Sequence, residues 1–334
     1  MRYAFPLSCN TVTLSLLFSL AIFAQPKIIF DTDFGGDADD LGALAMLNHF
    51  HQKKEAELLA VMCWSTEKHT ISAIDAVNTF YGHPNILLGL REAEPYEAQW
   101  NYNKILVDSL PYDAYPSTVP EATELYRKIL SEQEDKSITL VTVGPLMNIK
   151  RLLESKPDTY SKRSGKALVL AKIKEIVIMG GQFPKGERKE WNFDGGMLGV
   201  TQNVLAALQE IPVTYLGYEV GEDLKTGEVF NTLPKDAPLY LGFYHFSKYA
   251  PWTKDQFQGK IHNNSTFDQT AVLYAVRDGV GDYWSQSEPG ICIPDPEGRN
   301  SWQPSPTAKH SYLILQKPIA EMEILLEQLM LGDF

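Results

Sequence analysis

Six apolar runs separated by segments of helical spacing restrict this chain to one class of fold. KIIFD (27–31), LLAVMC (58–63), NILLGL (85–90), SITLVTVG (137–144), IKEIVIMGG (173–181) and IPVTYLG (211–217) are rich in Ile, Leu and Val. Strands covered on both faces read this way. Between them, 40–51, 67–81, 119–133, 145–154 and 197–209 repeat apolar residues at helical intervals. The alternation predicts an α/β fold: a mostly parallel open sheet, Rossmann-like, with helices on both faces. Ligands of such sheets bind beyond the carboxyl ends of the strands. The runs end in polar or Gly-rich turns at Asp31 onward, Trp64-Ser65-Thr66, Val143-Gly144-Pro145 and Met179-Gly180-Gly181, which should meet on one rim. Residues 91–118, 250–266 and 287–308 read as long loops, the first as a lid or wall. AEMEILLEQLM (320–330) reads as a closing helix.

The N-terminus has a different pattern. Arg2 precedes the apolar run TVTLSLLFSLAIFA, which ends in the small Ala24. This is the order of a secretory signal peptide over 1–24, and the run is short for a membrane span. Residues 25–334 are then expected to form a single domain, secreted or periplasmic and free of the membrane after cleavage. Losing 1–24 removes Arg2 and no acidic residue, so the net charge moves from −12 to −13. That excess disfavours nucleic acid and suits a cationic or neutral ligand. Export permits a disulfide between Cys63 and Cys292, but Cys63 in its apolar strand reads equally as a buried free thiol, and nothing in the composition excludes a homo-oligomer.

Where the first run ends, Asp31, Asp33, Asp37, Asp39 and Asp40 fall within ten residues. A helix start at Asp39 and Asp40 favours one or two of these charges by roughly 0.3–1 kcal/mol each, which leaves the rest uncompensated. A hard divalent cation with oxygen ligands would offset them. An EF-hand loop beginning at Asp31 fails, because Gly42 occupies the twelfth position where Glu is needed. A phosphatase with Asp31 as nucleophile remains a rival, although Gly35 stands where that class places Thr or Val.

Four motifs in order carry a resemblance to a known family. IIFDTDFGGDADD (28–40), ITLVTVGPLMNI (138–149), EIVIMGGQFPKGERKEWNFDG (175–195) and FDQTAVLYAV (267–276) are similar to the signatures of the nucleoside hydrolases, the inosine–uridine-preferring type and its relatives. The resemblance implies a calcium ion on the sheet rim, held by Asp33, Asp40, the Val143 carbonyl and Asp268. It implies Asp39 as the general base toward the attacking water, and Asp31, Glu190 and Asn192 on the sugar hydroxyls. The activity implied is hydrolysis of the N-glycosidic bond of a ribonucleoside or related N-riboside. The chemistry suits the residues: a metal lowers the pKa of water, a carboxylate takes the proton, and surplus negative charge stabilises a cationic sugar.

This chain departs from the family pattern in several places. Gly-Asp-Ala is inserted before Asp39, so Asp37 competes for the base role or adds a ligand. Phe267 stands where the best-known members have His. Ser65, Thr66 or Glu67 fills the turn of a family Asn, and Pro184 replaces another. His245 or His262 could supply the missing acid, while Trp191, Trp100 and Trp252 could stack on a base. Tyr218 and Glu219 lie at the same rim. A non-catalytic calcium-dependent sugar- or nucleoside-binding protein is the alternative from another class.

Overall fold

The structure is a computed structural model and describes Met1 and residues 25–334. The leader expected over 1–24 lies, Met1 apart, outside the described residues. The predicted strands form as β1 (Lys27–Thr32), β2 (Glu57–Cys63), β3 (Leu87–Leu90), β4 (Ile138–Thr142), β5 (Ile173–Met179) and β6 (Val213–Leu216). Later come β7 (Lys225–Thr226), β8 (Asn264–Ser265), β9 (Trp284–Gln286), β10 (Gly290–Pro294), β11 (Asn300–Pro304) and β12 (His310–Leu315). The helices are α1 (Asp39–Gln52), α2 (Thr70–Phe80), α3 (Asn103–Ser109), α4 (Ala122–Glu132), α5 (Met147–Glu154) and α6 (Gly165–Lys172). They continue with α7 (Trp191–Asp194), α8 (Val200–Ala207), α9 (Tyr218–Gly221), α10 (Pro238–Tyr249), α11 (Asp268–Arg277) and α12 (Ile319–Leu331).

The main sheet runs β11-β10-β12-β6-β5-β4-β1-β2-β3, and β9 adds to β12. From β3 to β12 the neighbours on this path pair in parallel, while β9, β10 and β11 are antiparallel. The chain moves outward from β1 to β3, then returns to the other side of β1 as β4. The crevice between β1 and β4 is therefore a topological switch point, the place where such sheets bind ligands. Successive β1 residues alternate between the two cores: Ile28 and Phe30 pack on one face, Ile29 on the other.

Two expectations need revision, and the state of the cysteines, left open by the sequence, is decided. The segment 91–118 contains α3, and its Asn101 and Asn103 pack behind the aspartate turn. The Pro-rich segment 287–308 contains the β10–β11 hairpin, with Pro294 and Pro304 at strand ends, where a missing N–H costs little. Cys63 and Cys292 are free and buried. They sit on β2 and β10, six sheet positions apart, roughly 28 Å at ordinary strand spacing, far beyond disulfide reach. Among the described residues no helix is long and apolar enough to cross a membrane.

Candidate active site

The site grows from the turn between β1 and α1. At Gly35 the backbone takes φ +113°, and a Cβ there would lie 2.4 Å from Asn103 Nδ2. Only glycine satisfies both demands. The Tyr102 hydroxyl accepts the Gly35 N–H at 3.1 Å. Gly144, after β4, lets the Asp33 backbone approach; a Cβ would meet the Asp33 nitrogen at 2.8 Å. Thr32 Oγ1 donates to Asp40 and accepts the Phe34 N–H. The turn is thus tied from both sides before α1 begins.

Asp268 opens α11, which packs against α1. One carboxylate oxygen each from Asp39, Asp40 and Asp268 lies within 4.8 Å of the others, and all three residues are buried. Burial pushes each well above the usual carboxylate range, and neighbouring aspartates add to the effect. Three buried acids that raise one another in this way are an incomplete arrangement without a cation. Hard oxygen donors on two helix starts fit a hard divalent cation.

The remaining expected ligands and contacts lie around the triad. Asp33 lies outside the triad: its Oδ2 accepts the Trp191 indole N–H at 2.7 Å, and burial raises it to about 6. Asp39, expected as the free base, is inside. Asp37 accepts the Ala38 N–H and the Asn264 amide at 3.1 Å, and burial raises it to about 7. The Val143 carbonyl accepts from Asn192 Nδ2 at 3.0 Å. Phe267 packs 5.1 Å from the Tyr218 ring.

Asp31 does not line the cavity. It alternates onto the Ile29 face, where Tyr126 OH donates to it at 2.7 Å and Asn148 Nδ2 at 3.1 Å. Burial raises it to about 7. This removes it from the sugar contacts and leaves an Asp31-nucleophile phosphatase without a nucleophile at the wall. Glu190 and Asn192, whose i, i+2 spacing would face them one way in an extended segment, lie instead at the start of α7. Glu190 caps α7, accepting N–H groups of Gly181, Asn192 and Phe193 at 2.8–3.1 Å. Asn192 spends its amide nitrogen on the Val143 and Met179 carbonyls. Both build the floor, because a one-turn helix needs its end groups satisfied.

A cavity of about 950 Å³ opens over this floor. Asp33, Asp37, Asp39, Asp40, Val143, Glu190, Trp191, Asn192, Phe267 and Asp268 line it, as do Trp100, Trp252 and Tyr218. Neither His245 nor His262 does; His245 Nε2 instead meets the Gln99 carbonyl at 3.3 Å. Trp64 and Thr66 come from the expected rim turn, while Arg91, Glu94, Tyr96, Arg188 and Lys189 are wall residues that the sequence did not single out. The signal for Trp64, Thr66 and Arg91 is their position just past β2 and β3, on the same rim.

The raised acids predict an unusual pH response. An unfolded aspartate titrates near pH 3.9, whereas burial lifts Asp33 to about 6, and Asp31 and Glu190 to about 7. Between those limits the folded, metal-free chain keeps protons that the unfolded chain has released. Its stability should therefore fall as pH rises from about 4 to about 7. A cation that replaces those protons should stabilise more strongly as pH rises. Thermal unfolding with chelator and with calcium, at about pH 5 and about pH 8, checks both signs. A chelated protein that melts higher at the upper pH would contradict them.

The pattern of the "Inosine-uridine preferring nucleoside hydrolase" family matches residues 28–300. The fold is similar to that of a plant nucleoside hydrolase, PpNRh1, at TM-score 0.65 and 16% identity, covering 92% of this chain and 99% of that one. It is also similar to a purine-preferring ribonucleoside hydrolase from Gardnerella vaginalis, at TM-score 0.63 and 15% identity, with coverage of 92% and 98%. A third similar structure is the type III effector protein XopQ complexed with adenosine diphosphate ribose, at TM-score 0.63 and 14% identity, with coverage of 91% and 93%. Comparison with curated proteins finds no match. With all four motifs inside the matched range and three of their aspartates gathered at the switch point, the chain belongs to the inosine–uridine preferring nucleoside hydrolase family and is an N-glycosidase.

Proposed function

We propose that this protein is a calcium-dependent hydrolase of N-ribosides. The observation that carries the reading is the buried Asp39–Asp40–Asp268 triad at the foot of an aromatic-walled cavity. These three carboxylates would hold the cation, with substrate hydroxyls and water completing its shell. Bound there, calcium lowers the pKa of water and offsets the triad's charge. Asp33 is the general base, its carboxylate oriented by Trp191 and open to the cavity. The roles of Asp33 and Asp39 are thus exchanged relative to those implied by the motifs alone.

Asp37 adds to the negative field that stabilises an oxocarbenium-like sugar. Trp191 and the Trp100–Trp252 and Tyr218–Phe267 pairs offer aromatic faces to the leaving base. With no histidine among the described wall residues, its proton comes from a phenol, Tyr96 or Tyr218, or from water. A riboside ligand accords with the adenosine diphosphate ribose bound by one structural relative. Residues 25–334 would act as one exported catalytic domain, secreted or periplasmic.

A reducing-sugar assay on purine and pyrimidine ribonucleosides, with and without EGTA, tests this reading. Ribose should appear only without the chelator. Calcium binding with no ribose from any substrate would favour the non-catalytic binding protein.

A further inference from the structure

Arg91 stands in the cavity wall without a carboxylate partner among the described residues. It comes directly after β3, and its N–H donates to the Cys63 carbonyl at 2.9 Å, which fixes it at the ligand-binding end of the sheet. It is only 8% exposed. Nε donates to the Trp64 carbonyl at 2.7 Å, and the guanidinium carbon lies 4.3 Å from the Trp64 ring centroid. Two contacts therefore set the plane of the fork. Among the described residues, Nη1 and Nη2 have no hydrogen-bond partner and no carboxylate within ion-pair distance. Glu94 shares the wall without pairing. Asp31 senses the charge, but its oxygens are held by Tyr126 and Asn148.

A cation partly withdrawn from water is normally paired. Here it sits in a site whose transition state is itself cationic, so a fixed guanidinium opposes catalysis unless the substrate brings an anion. Its free planar fork matches two oxygens of a phosphate. Arg188 and Lys189 add positive charge elsewhere in the cavity lining, Arg188 stacked 3.7 Å over the Tyr218 ring, with long ion pairs of 3.9 Å to Glu222 and 3.7 Å to Glu297. The chain's overall negative charge points to neutral or cationic ligands, but this part of the wall does not.

We propose that the substrates are N-ribosides bearing a phosphate ester, nucleotide-type compounds rather than plain nucleosides, with Arg91 Nη1 and Nη2 binding the phosphate oxygens. This rests on the hydrolase reading above and names its substrate class.

The test compares ribonucleosides with their 5′-monophosphates on the calcium-loaded full chain. The wild type should favour the phosphate ester in kcat/KM by about tenfold or more, and Arg91→Gln should reduce that ratio by a similar factor, through KM. Arg91→Lys, which keeps charge but loses the fork, should fall between and serves if the first variant does not fold. A ratio unchanged in Arg91→Gln, or a wild type that favours the plain nucleoside, overturns the proposal. If no riboside is cleaved, the hydrolase reading fails separately. Calorimetric binding of ribose 5-phosphate against ribose, with EGTA present, then decides. Phosphate-dependent binding lost in Arg91→Gln supports the proposal, and equal binding of both sugars overturns it.

Discussion

Asp268→Asn is expected to abolish calcium binding and to lower kcat/KM by roughly a thousandfold or more, while raising the melting temperature of the metal-free protein. The two effects have one origin. Asp268 shares a buried site with Asp39 and Asp40, and each disfavours the others' ionised form. A neutral amide of the same shape removes a repelling charge, so the chelated fold gains stability. The same change removes an anionic ligand, so the cation and the turnover it supports are lost. Calorimetric calcium titration, ribose release and thermal unfolding with EGTA read the three consequences. A variant that melts lower with chelator and keeps calcium would mean that Asp268 supports α11 rather than a metal.

The second large effect separates Asp33 from Asp39. Asp33→Asn should retain calcium within about tenfold and lose kcat by roughly 10²–10⁴, the usual range for a general base. Asp39→Asn should lose calcium and turnover together. The expectation rests on the placement of Asp33 beside the triad, with one oxygen held by Trp191. The opposite pattern, with calcium retained in Asp39→Asn and lost in Asp33→Asn, would restore the assignment implied by the motifs. Equal calcium affinity in both variants with turnover lost in both would place neither among the ligands.

The parallel sheet was legible because buried strands advertise themselves as apolar runs, and β1 through β6 formed at the predicted positions within a few residues. The convergence of Asp33 and Val143 was legible for a related reason, since strand ends of one sheet share a rim, whereas Glu190 and Asp268 were placed there by the family motifs. The detailed roles were less so. Asp31 and Asp33 share a parity in sequence, but β1 ends at Thr32, so the pleat carries Asp31 under α4 and α5 while Asp33 enters the turn. Glu190 and Asn192 have the spacing of paired sugar contacts, but a one-turn helix claims their polar atoms. No local pattern reports that kind of competition. Arg91 is marked in the sequence only by its place at the end of β3, because its significance lies in contacts it does not make.

The most direct test is to titrate calcium into the chelator-stripped full chain while measuring ribose release from a panel of ribonucleosides and their phosphate esters. One equivalent should bind, and release should rise from baseline in proportion to the bound fraction. Full-rate release by the stripped protein, or saturated calcium binding with no ribose from any compound, would contradict a calcium-dependent N-ribohydrolase.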